Sequence, residues 1–395
     1  MTYDIIILGA GASGLAAAIT AGRREKKILI IDKNKKCGQK LYATGNGRCN
    51  LTNQLFSPDS YYENDFALKI IGKSPAEDII SFFNSLGIYT YDRDGYVYPM
   101  SNQASSVVWA LKDEAGRFDT SFRYNHEVNR IIKEKDGFKV ILNNNENHIG
   151  KTLLIATGGF SYPKLGTANE SIYSIYDSLN IKYKKYEAAL CPLIIKEDLS
   201  KVSGVRTKGK VTVYKDEKEY HEEGEIQFTD YGISGIVIFN MSYFLDKGDK
   251  IYLDLIPEVS YERFKALFNN TRNRRPVAIL NGLINDKLSS FILDNFLKNI
   301  DNKNLTGNDF NDDMVNELYL LMKKYTLNVK GKMDFDMSQA SSGGILTSEI
   351  DPETMELRNI KGLYVSGEAT NVLGKCGGYN LTYAFLSGIK AGRNM

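Results

Sequence analysis

The run Gly9-Ala10-Gly11-Ala12-Ser13-Gly14 constrains this chain more than any other feature. It follows the β-branched stretch 3–8, which reads as a buried strand. It precedes the alanine-rich stretch 15–24, which reads as a helix. Residues 27–31 read as a second strand with Asp32 at its end. In such a strand–turn–helix context the first glycine allows the tight turn and the second lets the backbone approach a pyrophosphate. The third lets helix and strand pack closely. The helix N-terminus offers unpaired N–H groups and partial positive charge to phosphate. Asp32 stands 18 positions after Gly14, near the roughly 20 expected of an acid that binds ribose hydroxyls. The expectation is a dinucleotide-binding βαβ unit holding its ligand through Gly9, Gly11, Gly14 and Asp32.

The rest of the chain must supply a core and a second functional element. Its 395 residues suffice for about two domains, and 43% hydrophobic with 25% charged residues is an ordinary globular balance. A formal net charge of +2 gives no reason to expect nucleic acid or an anionic membrane as partner. No basic, apolar and small-residue leader pattern opens the sequence, and no apolar run approaches the ~18 residues that span a bilayer. The expected location is cytoplasmic. Cys37, Cys49, Cys191 and Cys376 form no CxxC pair, and the three histidines are scattered. We therefore expect free thiols and no metal site.

Ser74-Pro75-Ala76-Glu77 reads as a capping box with proline at the first helical position, and Gly87 ends that helix. Residues 103–116 read as a further helix. Residues 126–133 and 138–142 read as strands joined at Asp136-Gly137, and 152–156 as a buried strand running into Thr157-Gly158-Gly159. Beyond about residue 189 the texture changes: 210–214, 225–228 and 250–255 look like strands, and 260–325 looks mostly helical. The expected organisation is a dinucleotide-binding domain at 1–189, an inserted domain at 190–335, and a return to the first domain at 336–395. In that last part 362–366 reads as a strand and 381–390 as a helix.

Several further residues read as ligand contacts. The backbone of Val128, on its strand, suits an adenine contact. Gly367-Glu368 follows a strand, where an acid can hold the ribityl or phosphate region of FAD. Gly377-Gly378-Tyr379-Asn380 precedes the last helix. Two glycines there admit a flat ring, and the helix N-terminus favours negative charge on reduced flavin. The segment GQKLYATGNGRCNLTN (38–53) suits a loop lying along a ligand; Arg48 in it reads equally as a holder of phosphate or of a flavin carbonyl edge and as a solvated surface arginine. Cys376 reads as a buried, inert thiol. A single GxGxxG and no CxxxxC pair leave no second nucleotide fold, so NAD(P)H, as donor, would bind transiently.

Together these stretches resemble the BaiN-like flavoproteins, a family that includes 3-dehydro-bile-acid Δ4,6-reductase and aminoacetone oxidase. The resemblance lies in GAGASG (9–14), CGQKLYATGNGRCNLTN (37–53), ATGGFSYPKLGT (156–167), FTDYGISG (228–235), SSGGI (341–345) and GLYVSGEATNVLGKCGGYNLTYAFLSGIKAG (362–392). It implies an α/β fold: a Rossmann-like, two-dinucleotide-type FAD domain with an inserted β-barrel plus helical domain. It also implies non-covalent FAD. Its FAD candidates are Gly9, Gly11, Ser13, Gly14, Asp32, Lys33, Lys40, Thr44, Gly47, Arg48, Asn50, Val128, Thr157, Gly158, Gly367, Glu368, Gly378, Asn380 and Leu381. Asp32 stands where glutamate is common, and Asn46 where glycine is common.

The family leaves the reaction open. The leading expectation is NAD(P)H-dependent reduction of an activated C=C bond in an apolar small molecule, with Tyr231 or Tyr162 as proton donor. The alternatives are an O2-using amine oxidase of the aminoacetone oxidase type and a tRNA-modifying flavoprotein. For the last, Arg272, Arg274 and Arg275 are the only suggestive cluster, and such a run is usually a solvated face. The oligomeric state is not legible.

Overall fold

A computed structural model describes residues 2–62, 65–298 and 304–395. The chain packs into two compact units, 1–188 with 339–395, and 189–338.

The first unit is built on a seven-stranded sheet. Strand Thr2–Leu8 lies between Ile28–Asp32 and Asn147–Ile155, parallel to both, with Leu8 opposite Ile31 on one side and Ile155 on the other. Thr120–Tyr124 adds in parallel outside Ile28–Asp32. Strand Asn147–Ile155 divides its other edge. Its first half pairs antiparallel with Gly137–Leu142, which in turn pairs with Val128–Glu134. Its second half pairs parallel with Leu363–Val365, so the last part of the chain completes the sheet. The central strands are continuous apolar runs, and Ile5 to Leu8, Ile28 to Ile31 and Leu153 to Ile155 are all buried. That is the pattern of parallel strands covered on both faces. Each such Ile or Leu contributes about 1.5–3 kcal/mol through burial.

Helix Ala12–Gly22 follows the glycine turn and packs against the long final helix Tyr379–Asn394. Their approach is close: a Cβ added at Gly388 would sit 2.2 Å from the carbonyl oxygen of Ser13. The two ends of the sequence therefore share one helix interface.

Local expectations are corrected in places. Helix Pro75–Ser85 forms with Pro75 at its start, but the capping box does not. Ser74 makes no side-chain capping bond and has ψ 55°, well short of the extended backbone that aims a cap at the first turn. The strand expected from His126 begins at Val128. His126 instead donates its backbone N–H to Asp32 O at 3.2 Å, and its Nδ1 lies 2.6 Å from Tyr124 O. The strand expected at 152–156 runs longer, over Asn147–Ile155.

The second unit contains a closed six-stranded antiparallel barrel. Its strands, in spatial order, are Leu193–Ile195, Gly232–Ser234, Lys218–Phe228, Arg206–Lys215, Lys250–Asp254 and Tyr325–Lys332, the last pairing back with the first. Closure leaves no open sheet edge. Val211, Val213, Ile251, Leu253, Leu327 and Val329 fill the inner face and share a core with Phe264, Phe268 and Phe310. Helices Tyr261–Asn270, Asp286–Leu297 and Asp312–Lys323 account for much of the expected helical stretch; its residues 299–303 lie outside the described residues.

Among the described residues no helix is long and apolar enough to cross a membrane. Cys37, Cys49 and Cys191 are buried free thiols, while Cys376 is only half-buried, which departs from the buried thiol expected there. Full burial pushes the Cys49 thiol up to about 12.

Candidate functional site

The carboxyl ends of the parallel strands open into a cleft of about 260 Å³. This is where ligands bind in open α/β sheets. Gly9, Gly11 and Ser13 line it from the first strand–helix turn, and Asp32 and Lys33 from the end of the second strand. Thr157 and Gly158 line it from the end of the third, and Glu368 from the turn after Leu363–Val365.

The glycines divide their work. Gly9 has φ +108°, and a Cβ there would meet the Ala156 carbonyl oxygen at 2.3 Å. It is required by the fold. Gly11 lines the cleft, and a Cβ there would meet no protein atom within 4 Å. The space beside it is open cleft, at the N-terminus of Ala12–Gly22, a position where phosphate is favoured. Gly14 is not in the lining. A Cβ there would fall 2.0 Å from the Gly9 carbonyl oxygen, so it serves close packing.

Asp32 is fixed by two backbone donors: Ala10 N–H to Oδ2 and Asn34 N–H to Oδ1, each at 2.7 Å. Burial pushes its carboxyl above the ordinary aspartate value despite these bonds, which pull the other way. Each oxygen keeps acceptor capacity for a ligand hydroxyl.

Lys40 and Glu368 come together in the wall of the cleft. Lys40 Nζ donates to Glu368 Oε2 at 2.6 Å and also to Ser161 Oγ. Glu368 Oε1 accepts the Ser341 N–H at 2.7 Å and the Ser161 hydroxyl at 3.4 Å. The carboxylate is thus held by protein donors, a role that Glu368 alone in the sequence does not suggest.

Thr44, Val128, Asn380 and Leu381 also line the cleft. Asn380 is tied into its own loop, its Oδ1 accepting the Gly374 N–H at 2.8 Å and its Nδ2 donating to Gly374 O at 2.8 Å. Gly47, Arg48, Asn50, Gly367 and Gly378 stand outside the lining. Gly47 and Arg48 are exposed. Gly367, at φ +63°, packs on Ser13. Gly378 caps the final helix at φ +98°. Asn50 is buried beside it, its Oδ1 without a protein partner and 3.1 Å from the position of a Cβ at Gly378.

The proton-donor candidates fall in different units, Tyr162 in the first and Tyr231 in the second. Tyr162 takes a left-handed backbone at φ +57°, and its hydroxyl accepts from Gln339 Nε2 at 2.9 Å. Burial raises its hydroxyl above the ordinary tyrosine value. Gln339 lines the cleft; Tyr162 does not. Asn34, Glu127 and the run Leu165 to Asn169, none of them expected from the sequence, also line the cleft. The signal was present in ATGGFSYPKLGT, whose proline and glycines mark a shaped loop.

The residues fit a dinucleotide flavin on two observations. Gly11 borders space that a side chain would fill. Asp32 presents a carboxylate oriented by two backbone donors.

Parallel strands, a glycine turn opening onto a helix N-terminus, and a ribose-type acid define a Rossmann-type dinucleotide-binding protein. The chain belongs to the family described as HI0933-like protein Rossmann domain, whose model matches residues 3–394. It is similar to the 3-dehydro-bile acid delta(4,6)-reductase of Clostridium scindens, at 34% identity over 98% of this chain and 97% of the relative. It is also similar to the ribosomal RNA dihydrouridine synthase of Escherichia coli (strain K12), at 29% identity over 98% of this chain and 96% of the relative. A solved structure of a flavocytochrome c3 fumarate reductase in its open conformation matches with a TM-score of 0.51 at 15% identity. That match covers 100% of this chain and 78% of the other, and it speaks to the fold alone.

Proposed function

We propose that this FAD-dependent oxidoreductase reduces a C=C bond conjugated to a carbonyl in an apolar small molecule, taking its electrons from NAD(P)H. The observation that carries the cofactor reading is the cleft itself, with Gly11 open to it and Asp32 in its wall, held by the Ala10 and Asn34 N–H groups. The reaction reading draws on the relatives. A delta(4,6)-reductase of a 3-dehydro-bile acid saturates alkenes conjugated to a ketone. A dihydrouridine synthase yields a pyrimidine saturated at the bond next to its carbonyl. In our reading hydride adds at the β-carbon and a proton at the α-carbon.

In this reading Asp32 would accept the ribose hydroxyls, backbone N–H groups at the start of Ala12–Gly22 would hold the pyrophosphate, and Val128 would hold the adenine. Lys33, Thr44, Thr157, Gly158 and Leu381 complete the walls, and the Lys40–Glu368 pair fixes the polarity of one of them. FAD, when bound, supplies hydride-transfer chemistry. Tyr162 and Tyr231 are the proposed proton donors. The Tyr162 hydroxyl, raised by burial, stays protonated at neutral pH and gives its proton only to a strong base such as a developing enolate.

A second reading keeps the reaction and changes the substrate body to a uridine in structured RNA, favoured by the 98% of this chain covered by the dihydrouridine synthase. The test is an anaerobic titration of the flavin-loaded protein with NADPH and NADH, followed by a 3-oxo-Δ4 steroid or by unmodified ribosomal RNA. Bleaching by a pyridine nucleotide and reoxidation by the steroid supports the first reading. Reoxidation by RNA alone supports the second. Bleaching only by a small amine sinks both and indicates an amine oxidase.

A further inference from the structure

The segment that follows the strand Asn147–Ile155 does more than line the cleft. It turns at Pro163–Leu165 and runs through Gly166 to Ser171, where a helix begins. Along this stretch Leu165, Gly166, Thr167, Ala168 and Asn169 face the cleft.

Two side chains tie the segment down, one on each neighbouring strand end. Asn34 Nδ2 donates to Gly166 O at 3.0 Å, and the backbone N–H of the same Asn34 donates to Asp32. Glu127 Oε1 accepts from Asn169 Nδ2 at 3.3 Å and from Ser171 Oγ at 3.1 Å. Glu127 directly precedes Val128. Gly166 is needed for the first tie: at φ +69°, a Cβ there would sit 1.8 Å from Asn34 Oδ1. A third tie, Thr167 Oγ1 to Phe160 O at 3.2 Å, closes the segment on its own base.

The anchors stand beside Asp32 and Val128, the residues assigned to the ribose and the adenine. The third tie reaches back to Phe160, next to the Ser161 that bonds Lys40 and Glu368. The two side-chain anchors from outside the segment both stand at the Asp32 and Val128 end.

We infer that residues 163–171 form a strap over the adenosine end of the cofactor, held by Asn34 and Glu127 as positioning residues, and that the strap makes the site select a flavin dinucleotide over a flavin mononucleotide. The inference rests on the FAD reading above. Each tie is a partly exposed hydrogen bond of modest net worth, so the strap slows release by the combined effect of two or three bonds.

The test uses the full chain loaded with FAD, and in parallel with FMN. Release is followed by the recovery of flavin fluorescence on dilution, for the wild type and for Asn34→Ala, Glu127→Ala and the double variant. The double variant is expected to release FAD on the order of tenfold faster, with FMN release unchanged. Equal acceleration for FAD and FMN, or none for either, overturns the strap. Trypsin supplies a readout that needs no variant: cleavage after Lys164 in the wild type should slow with FAD and not with FMN. Cleavage indifferent to FAD overturns the strap alone. A wild-type protein that holds neither flavin overturns the cofactor reading, and the strap with it.

Discussion

The Asp32 carboxylate accepts the backbone N–H of Ala10 at 2.7 Å across 22 residues. The acid assigned to the ribose and the turn assigned to the pyrophosphate are thus one mechanical piece. Asp32→Ala removes a ligand acceptor and also strands the Ala10 N–H. It should weaken FAD binding by roughly 10- to 100-fold, as expected for hydrogen bonds to a charged group, and cost the fold about 1–3 kcal/mol. Equilibrium dialysis against FAD and urea unfolding of the stripped protein measure the two effects separately.

Acid should release the cofactor earlier than an ordinary aspartate would allow. Burial raises the folded carboxyl of Asp32, while an unfolded aspartate titrates near 3.9. As pH falls through the raised folded value, Asp32 gains a proton and loses its charge and part of its capacity to accept from ribose, so FAD affinity drops. The sign for the stripped fold is opposite. A raised carboxyl contributes stability that is full below the unfolded value and is lost as pH rises through the folded one. Flavin fluorescence against pH should therefore show release while far-UV circular dichroism is unchanged, and Asp32→Asn should abolish that acidic edge.

Gly9 and Gly11 should fail in opposite ways. Gly9→Ala forces a Cβ to 2.3 Å from the Ala156 carbonyl oxygen at φ +108°, a destabilisation on the order of 3 kcal/mol. Gly11→Ala meets nothing within 4 Å and has φ −86°. The stripped protein should be unharmed or stabilised by about 0.4–1 kcal/mol, yet bind FAD poorly because the methyl occupies ligand space. Thermal melts with and without FAD separate the two: only Gly11→Ala keeps its melting point while losing the shift produced by ligand.

Lys40→Met should leave Glu368 with an unneutralised charge in the cleft wall, while Ser161 and Ser341 still donate to it. FAD affinity should fall by about tenfold, and Lys40→Met with Glu368→Gln should recover most of the loss, a coupling expected of residues in direct contact. Titration of all four proteins with FAD completes the cycle; additive effects would mean that the pair is not coupled in the loaded site.

The sequence is most legible where local pattern and tertiary role coincide. The strand, glycine turn and helix of the opening are set by neighbours in the chain, and Asp32 falls where spacing places it. The long final helix is readable for the same reason. Roles that depend on contacts across the fold are less readable. Nothing about Glu368 alone announces that Lys40 and Ser341 hold it, over 300 residues upstream in one case. Asn34 and Glu127 carry no periodic or glycine signal, and their hydrogen bonds arise only once two strand ends and a loop meet. Ser74 shows the converse: its motif is complete, yet its backbone angle denies it the bond. The barrel's closure is also non-local, since strand Leu193–Ile195 finds Tyr325–Lys332 more than a hundred residues later.

The sheet is finished by Leu363–Val365, and the helix after the glycine turn is backed by Tyr379–Asn394. During synthesis the glycine turn leaves the ribosome ahead of its partner helix and stays without it until that later segment follows. At about 5–20 residues per second that interval lasts some tens of seconds. The cleft is then completed only once residues 363–394 follow, and a ribosome stalled before residue 363 is expected to carry a chain that retains flavin poorly.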